Sequence, residues 1–187
     1  DKHSVVIFLM LYEDKEYHNA VFVGYDANGI PRHAHKHGTY TGGKSYKGNM
    51  EGCDPRFSFH YTGTDSKIFV FEAPIDMLSF ITLHLKNWKQ HSYVSLCGVA
   101  EHALLQQLRE NPCIQEVYLC LDHDEAGLKA TERLRGISQE HGYSNVSVLK
   151  SQYKDWNEDL KAQHGMEAIP AEEPEAEEQS CSIKMTM

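Results

Sequence analysis

A chain of 187 residues with 41% hydrophobic side chains, ten Tyr and seven Phe has material for one packed domain, or one domain with a small appendage. Its formal charge of −9 is uneven: the stretch from Glu167 onward holds six Glu and one Lys, or −5, so the body carries only −4, and phosphate binding there rests on local charge and bound metal. Five cysteines (Cys53, Cys97, Cys113, Cys120, Cys181) without a CxxC pair give no zinc site or disulfide framework, and the lack of a secretory signal or an apolar run near ~18 residues predicts a cytoplasmic protein with no membrane partner.

Residues 1–18 read as the end of a preceding segment, because the chain opens on Asp1 rather than Met and Ser4–Tyr12 (SVVIFLMLY) has the pattern of a buried helix or strand. Asn19–Tyr25 (NAVFVGY) is a β-rich run, Asp26-Ala-Asn-Gly29 has hairpin-turn composition, and Pro31–Gly38 is the expected returning strand. Gly38–Gly52, rich in Gly, Lys, Ser and Thr, predicts a loop. Phe57-Ser-Phe-His-Tyr61 alternates like a half-buried strand. Residues 19–63 are therefore expected to form a small antiparallel β subdomain.

The pattern changes after Gly63. Lys67–Glu72 (KIFVFE), Tyr93–Cys97, Glu116–Asp122 (EVYLCLD) and Asn145–Leu149 are apolar runs of the kind buried on both faces of a parallel sheet. Between them lie helical stripes: Ile75, Leu78, Ile81 and Leu85 after Pro74; Ala100, Ala103, Leu104 and Leu108 before Asn111-Pro112; and Ala130, Leu134 and Ile137 after Asp124. This alternation predicts an α/β domain over residues 64–165, with a four-stranded parallel sheet flanked by helices. Residues 166–187, including the Glu-rich stretch Glu167–Gln179, lack the apolar residues to offset ordering and predict an acidic disordered tail.

In an open parallel sheet, side chains at the carboxyl ends of strands converge on the crevice where ligands bind. Two strands here end in acid: one at Glu72, another at Leu121-Asp122-His123-Asp124. One such acid is ordinarily a helix cap or salt-bridge partner. Three delivered to one edge repel unless a cation sits among them, and hard carboxylate oxygens suit Mg²⁺ or Mn²⁺.

Glu72 after an apolar strand, Gly98 after the next, and LDHDEAG (Leu121–Gly127) together resemble the Toprim signature. That catalytic domain is shared by DnaG-type primases, type IA and type II topoisomerases, OLD-family nucleases and RecR-type recombination proteins. The phrases FEAPIDMLS and LDHDEAGLKA, with VFVGYDANGIPRHAHKHGTY and SYKGNMEGCDPRFSF upstream, are most similar to the primase-like Toprim proteins of bacterial conjugative and other mobile elements. The resemblance covers about residues 19–160, and Cys53 stands where the related pattern has a small Ser.

The resemblance implies a Rossmann-like Toprim fold and position-by-position roles. Glu72 matches the general acid/base, also placed near metal; Asp122 and Asp124 match the Asp-X-Asp metal ligands. Asp155, in Lys154-Asp-Trp-Asn-Glu-Asp159, matches the downstream acidic motif, and Gly127 fits a close backbone approach at a helix start. The implied activity is Mg²⁺-dependent (or Mn²⁺-dependent) nucleotidyl transfer, with strand cleavage or a non-catalytic scaffold role as the alternatives. The implied partners are single-stranded DNA or other nucleic acid, nucleotides, and replication or conjugation proteins.

Three weaker signals stay open. The stretch Pro31–Arg56 carries Lys44, Lys47 and Arg56 with Arg32, Lys36, Tyr40 and Tyr46, which suits either a nucleic-acid ramp or an ordinary solvated loop. His33, His35 and His37 share one face of a strand, more in keeping with a solvated face than with metal ligands. Trp156 suits packing against the sheet more than stacking on a base.

Overall fold

The computed structural model describes residues 10–40, 46–98 and 100–172. Ser4–Leu9, the candidate Lys44 and the tail from residue 173 lie outside the described residues.

The N-terminal half is an antiparallel sheet in the order β1 (Leu11–Glu13), β2 (Ala20–Tyr25), β3 (Pro31–His37), β4 (Lys47–Asn49). The β2–β3 turn works as its composition predicts. Asp26 Oδ1 accepts from the amides of Asn28 (2.9 Å) and Ile30 (3.0 Å), and Gly29 takes φ +75°, a region open to glycine.

The second sheet has the order β5-β7-β6-β8-β9, with β6 (Lys67–Phe71), β7 (Ser92–Ser95), β8 (Glu116–Leu119) and β9 (Val146–Val148) parallel, as expected. Its edge strand β5 (His60–Tyr61) runs antiparallel to β7. Residues expected to complete the N-terminal sheet thus join the other one. Packing gives the reason: Phe59 is fully buried against Phe22 with ring centroids 5.3 Å apart, and the Ser58 hydroxyl donates to the Ser95 carbonyl. The segment crosses β2 so closely that a Cβ at Gly24 would meet the Phe57 carbonyl oxygen at 1.8 Å. Residues 57–61 are the seam between the halves.

Among the described residues, four α-helices cover the sheet: α1 (Pro74–Leu83), α2 (His102–Glu110), α3 (Glu125–Glu140) and α4 (Trp156–Gln163). Successive residues of β6 point to opposite faces and both faces are buried. Ile68 and Val70 join Leu104, Val117 and Leu134, while Phe69 and Phe71 join Met77, Phe80 and Trp156. Each such aliphatic or aromatic side chain contributes about 1.5–3 kcal/mol.

In α1 the buried residues are Pro74, Asp76, Met77, Ser79, Phe80 and Ile81, whereas Leu85, expected in the stripe, is 64% exposed and lies past the helix end. The face is shifted because α1 packs against α4 as well as the sheet. That fourth helix has no long apolar stripe; Asp155 caps it, and Trp156 and Glu158 are its buried residues.

Candidate active site at the carboxyl edge of the parallel sheet

Strands β6 and β8 are hydrogen-bonded neighbours, and the chain stays in register beyond them, with the Cys120 amide donating to the Val70 carbonyl at 2.8 Å. Glu72 leaves the end of β6, and Asp122 follows β8. Asp124 is the N-cap of α3, its Oδ1 accepting from the Gly127 amide at 2.9 Å. Asp155 caps α4 in the same way, accepting from the Glu158 amide at 2.8 Å. The bland reading of these two acids as caps is therefore correct as far as it goes; each spends one oxygen on its helix.

Gly127 is where the backbone closes in. A Cβ there would lie 2.1 Å from the Asp122 carbonyl oxygen, so α3 starts in contact with the strand end it follows. The turn bearing Asp155 is fastened to β8 by Trp156, whose indole Nε1 donates to the Cys120 carbonyl at 3.0 Å. Trp156 is buried with its ring edge-on to Phe80 at 4.8 Å, the packing role. Gly98 takes φ +140°, and its amide donates to the Glu72 carbonyl at 3.3 Å, bracing the glutamate's backbone.

Charge is crowded at this edge. Burial, then the nearby Glu72, Asp155 and Asp124, push the Asp122 carboxyl up to about 7. Burial, then Asp124, raise Glu72 above the ordinary carboxylate range, with Lys47 and Lys154 pulling the other way. Asp76 joins the cluster, though the motif reading did not single it out. It is 4% exposed, accepts from the Asn157 amide at 3.1 Å, and is raised well above its usual value by burial, then Asp155 and Asp122. Its signal was present in the quoted FEAPIDMLS, where an acid falls on the buried face of a helix. Lys154 answers the cluster, with Nζ 3.7 Å from Asp124 Oδ2. Burial opposes its charge, but Asp124, Asp122 and Asp155 outweigh that and raise its pKa.

These residues suit a divalent cation. Asp122 Oδ1 is buried without a hydrogen-bond partner, and the neighbouring carboxylates raise the pKa of Asp122 and of Glu72, the condition a 2+ ion relieves with oxygen ligands. As they stand, no three His, Cys, Asp or Glu side chains among the described residues are arranged to hold an ion.

The N-terminal sheet forms the facing wall. A cleft of about 240 Å³ is lined by His35, Lys47 and Asn49 from that sheet and by Glu72, Gly98 and Asp122 from the other. Lys47 therefore meets the acids. Arg56 does not line this cleft: it pairs with Asp54 at 2.6 Å and borders a separate groove with His102, Arg109 and Tyr143. His33, His35 and His37 do share a face of β3, but that face is covered rather than solvated, with His33 3% and His35 6% exposed. Burial accordingly lowers all three, His33 and His37 to about 4.

Residues 69–160 match the family described as Toprim-like, and residues 6–65 match a family described as a protein of unknown function, DUF3991. An uncharacterised Bacillus anthracis protein, pXO2-78, is 25% identical over 176 residues, covering 86% of this chain and 48% of the relative. An uncharacterised protein of Mycoplasma pneumoniae is 31% identical over 100 residues, covering 53% of this chain and 45% of the relative. The chain thus spans about half the length of the curated relatives it matches.

Among solved structures, the primase fragment of the bacteriophage T7 primase-helicase superposes with a TM-score of 0.61 at 20% identity, over 83% of this chain and 62% of that one. The DnaG catalytic core gives 0.56 at 13% identity, over 87% and 55%. A DnaG catalytic domain bound to single-stranded DNA gives 0.52 at 14% identity, over 88% and 55%. Residues 69–160 thus match the Toprim-like family model, and the chain takes the fold of primase catalytic cores.

Proposed function

We propose that this chain performs Mg²⁺- or Mn²⁺-dependent phosphodiester chemistry on nucleic acid, with primase-like nucleotidyl transfer as its reaction. The observation that carries this reading is Asp122 Oδ1, buried and unpartnered beside Glu72, Asp124 and Asp155. Asp122, Asp124 and Asp155 would hold the ion, with Glu72 at its margin. A bound ion supplies charge neutralisation on phosphate oxygens, where phosphoryl transfer accumulates charge. Glu72, raised by burial and by Asp124 above the ordinary carboxylate range, is suited to a proton-exchange role. Lys47 contributes a cation to the facing wall and Gly98 braces the Glu72 backbone. The partner class is single-stranded nucleic acid, with nucleotides as co-substrates and replication or conjugation proteins as the setting.

The test is Glu72→Gln in the full-length protein, assayed for primer synthesis and for nicking on single-stranded DNA. The substitution keeps shape and removes the titratable group, so turnover should fall by about 10²-fold or more while fold and nucleic-acid affinity hold. Turnover equal to wild type would refute the role of Glu72. Nicking without synthesis would replace nucleotidyl transfer with strand cleavage, and no activity in the wild-type protein would favour a scaffold.

A further inference from the structure

Two buried side-chain atoms of residues lining the 240 Å³ cleft have no partner in the protein: Asp122 Oδ1 and His35 Nε2. The first belongs to the acidic cluster. The second comes from the facing sheet, and a chain of hydrogen bonds fixes its chemistry.

His35 and Asn49 are directly opposed in the β3/β4 register. Asn49 Nδ2 donates to the Cys97 carbonyl at 3.4 Å. A carbonyl only accepts, so this contact orients the amide and turns Asn49 Oδ1 towards His35. Oδ1 also only accepts, so His35 Nδ1, 2.7 Å away, carries the ring proton. In the neutral imidazole that leaves Nε2 as a bare lone pair. Burial, opposed by the Asn49 hydrogen bond and helped by the Lys47 charge, holds the ring below its ordinary pKa of 6.5, which favours the neutral form at pH 7 and above. A second group holding the other ring nitrogen is the arrangement by which proteins aim a histidine at a ligand.

We propose that His35 is a specificity-determining residue of this cleft, its Nε2 accepting a hydrogen bond from a ribose hydroxyl of a bound nucleotide. The inference rests on the reading above that the cleft takes nucleotides. Ionised phosphates and carboxylates only accept, so neither satisfies a lone pair. Base donors differ from one nucleobase to the next, whereas ribose hydroxyls are common to all ribonucleotides. A buried acceptor left without its donor is disfavoured, which is how such a site rejects the analogue lacking the hydroxyl.

The experiment titrates ATP, 2′-deoxyATP and 3′-deoxyATP into the 187-residue chain with Mn²⁺, by calorimetry. Wild type should bind ATP about tenfold tighter than at least one deoxy analogue, which identifies the hydroxyl read. His35→Phe should bind all three alike, at the affinity of the disfavoured analogue. Asn49→Leu removes the tautomer lock with His35 still in place and should shrink the preference; His35→Gln, which retains an acceptor, should keep part of it. A wild type indifferent to the hydroxyls overturns the proposal, as does a preference that survives in His35→Phe. Equal weakening of all three ligands in His35→Phe overturns it too, reducing His35 to a support of the fold. If wild type binds Mn²⁺ but no nucleotide, the nucleotide reading itself falls and takes this one with it.

Discussion

The indole Nε1 of Trp156 donates to the Cys120 carbonyl at 3.0 Å, and this bond ties the turn carrying Asp155 to the strand end carrying Asp122. Two acids 33 positions apart in sequence thereby enter one field, as the upward push of Asp155 on the Asp122 carboxyl reflects. Trp156→Phe keeps most of the ring packing on Phe80 but strands a buried carbonyl, so stability should fall by about 1–3 kcal/mol. Trp156→Ala also opens a cavity and should cost about 3–5 kcal/mol. Urea denaturation measures both. Mn²⁺ affinity should weaken with them, and an unchanged affinity in a folded Trp156→Ala protein would show that this tie does not set the site.

Two glycines of α3 should respond in opposite directions. At Gly127 an added methyl meets the Asp122 carbonyl at 2.1 Å, backbone against backbone, so Gly127→Ala must displace either the helix start or the acid. A loss of about 1–3 kcal/mol or more, with weakened Mn²⁺ binding, is expected. Gly136 has nothing within 4 Å of the same methyl, and in mid-helix Ala should stabilise by about 0.5–1 kcal/mol. Paired thermal melts decide this, and equal effects at the two positions would contradict the close approach.

For nucleic acid, the two described basic candidates should separate. Lys47 faces the acidic cleft, whereas Arg56 is engaged by Asp54 at 2.6 Å and lines another groove. Lys47→Ala should weaken single-stranded DNA binding and reduce the slope of log K against log salt by about 0.7, the release of one counterion. Arg56→Ala should leave the slope near wild type. Fluorescence anisotropy across a salt series reads both, and a larger loss at Arg56 would move the nucleic-acid path to its groove.

Glu72, Asp122 and Asp124 were legible in the sequence because a strand followed by an acid fixes where that acid sits: the period of the strand and the parallel crossover leave little freedom, whereas Asp155 follows no strand and was marked only by the family resemblance. Asp76 was not legible, since its helical stripe was judged from Ile75, Leu78, Ile81 and Leu85, and a buried carboxylate runs against hydrophobic patterning. The strand His60–Tyr61 read as β structure, but its partner depends on Phe59 docking onto Phe22, a contact between residues 37 apart that local pattern does not encode. The helix from Trp156 escaped notice because its stability comes from packing on α1 and from its Asp155 cap rather than from a long apolar stripe. The histidines of β3 read as a shared face, and only the covering of that face shows which side of the sheet it serves.

That covered face makes the fold sensitive to mild acid through His33. Burial, then the neighbouring His35, lower its pKa from the ordinary 6.5 to about 4, with Asp54 opposing. Between these values the unfolded chain holds a proton that the folded one refuses, so unfolding stability rises with pH across the window. Stability from neutral His33 is therefore fully present above pH 6.5, drains away as pH falls towards 4, and changes no further below. The loss is on the order of 2 kcal/mol. Glu72, Asp76 and Asp122, all raised, act in the opposite direction at overlapping pH, so the wild-type curve alone does not isolate the histidine. The difference between wild type and His33→Leu does, because the acids are common to both. Urea midpoints taken without divalent metal from pH 8 to pH 4 should show wild type losing ground to His33→Leu below pH 6.5. A difference that stays constant over that range would mean His33 titrates alike in both states and that the face of β3 is open to water.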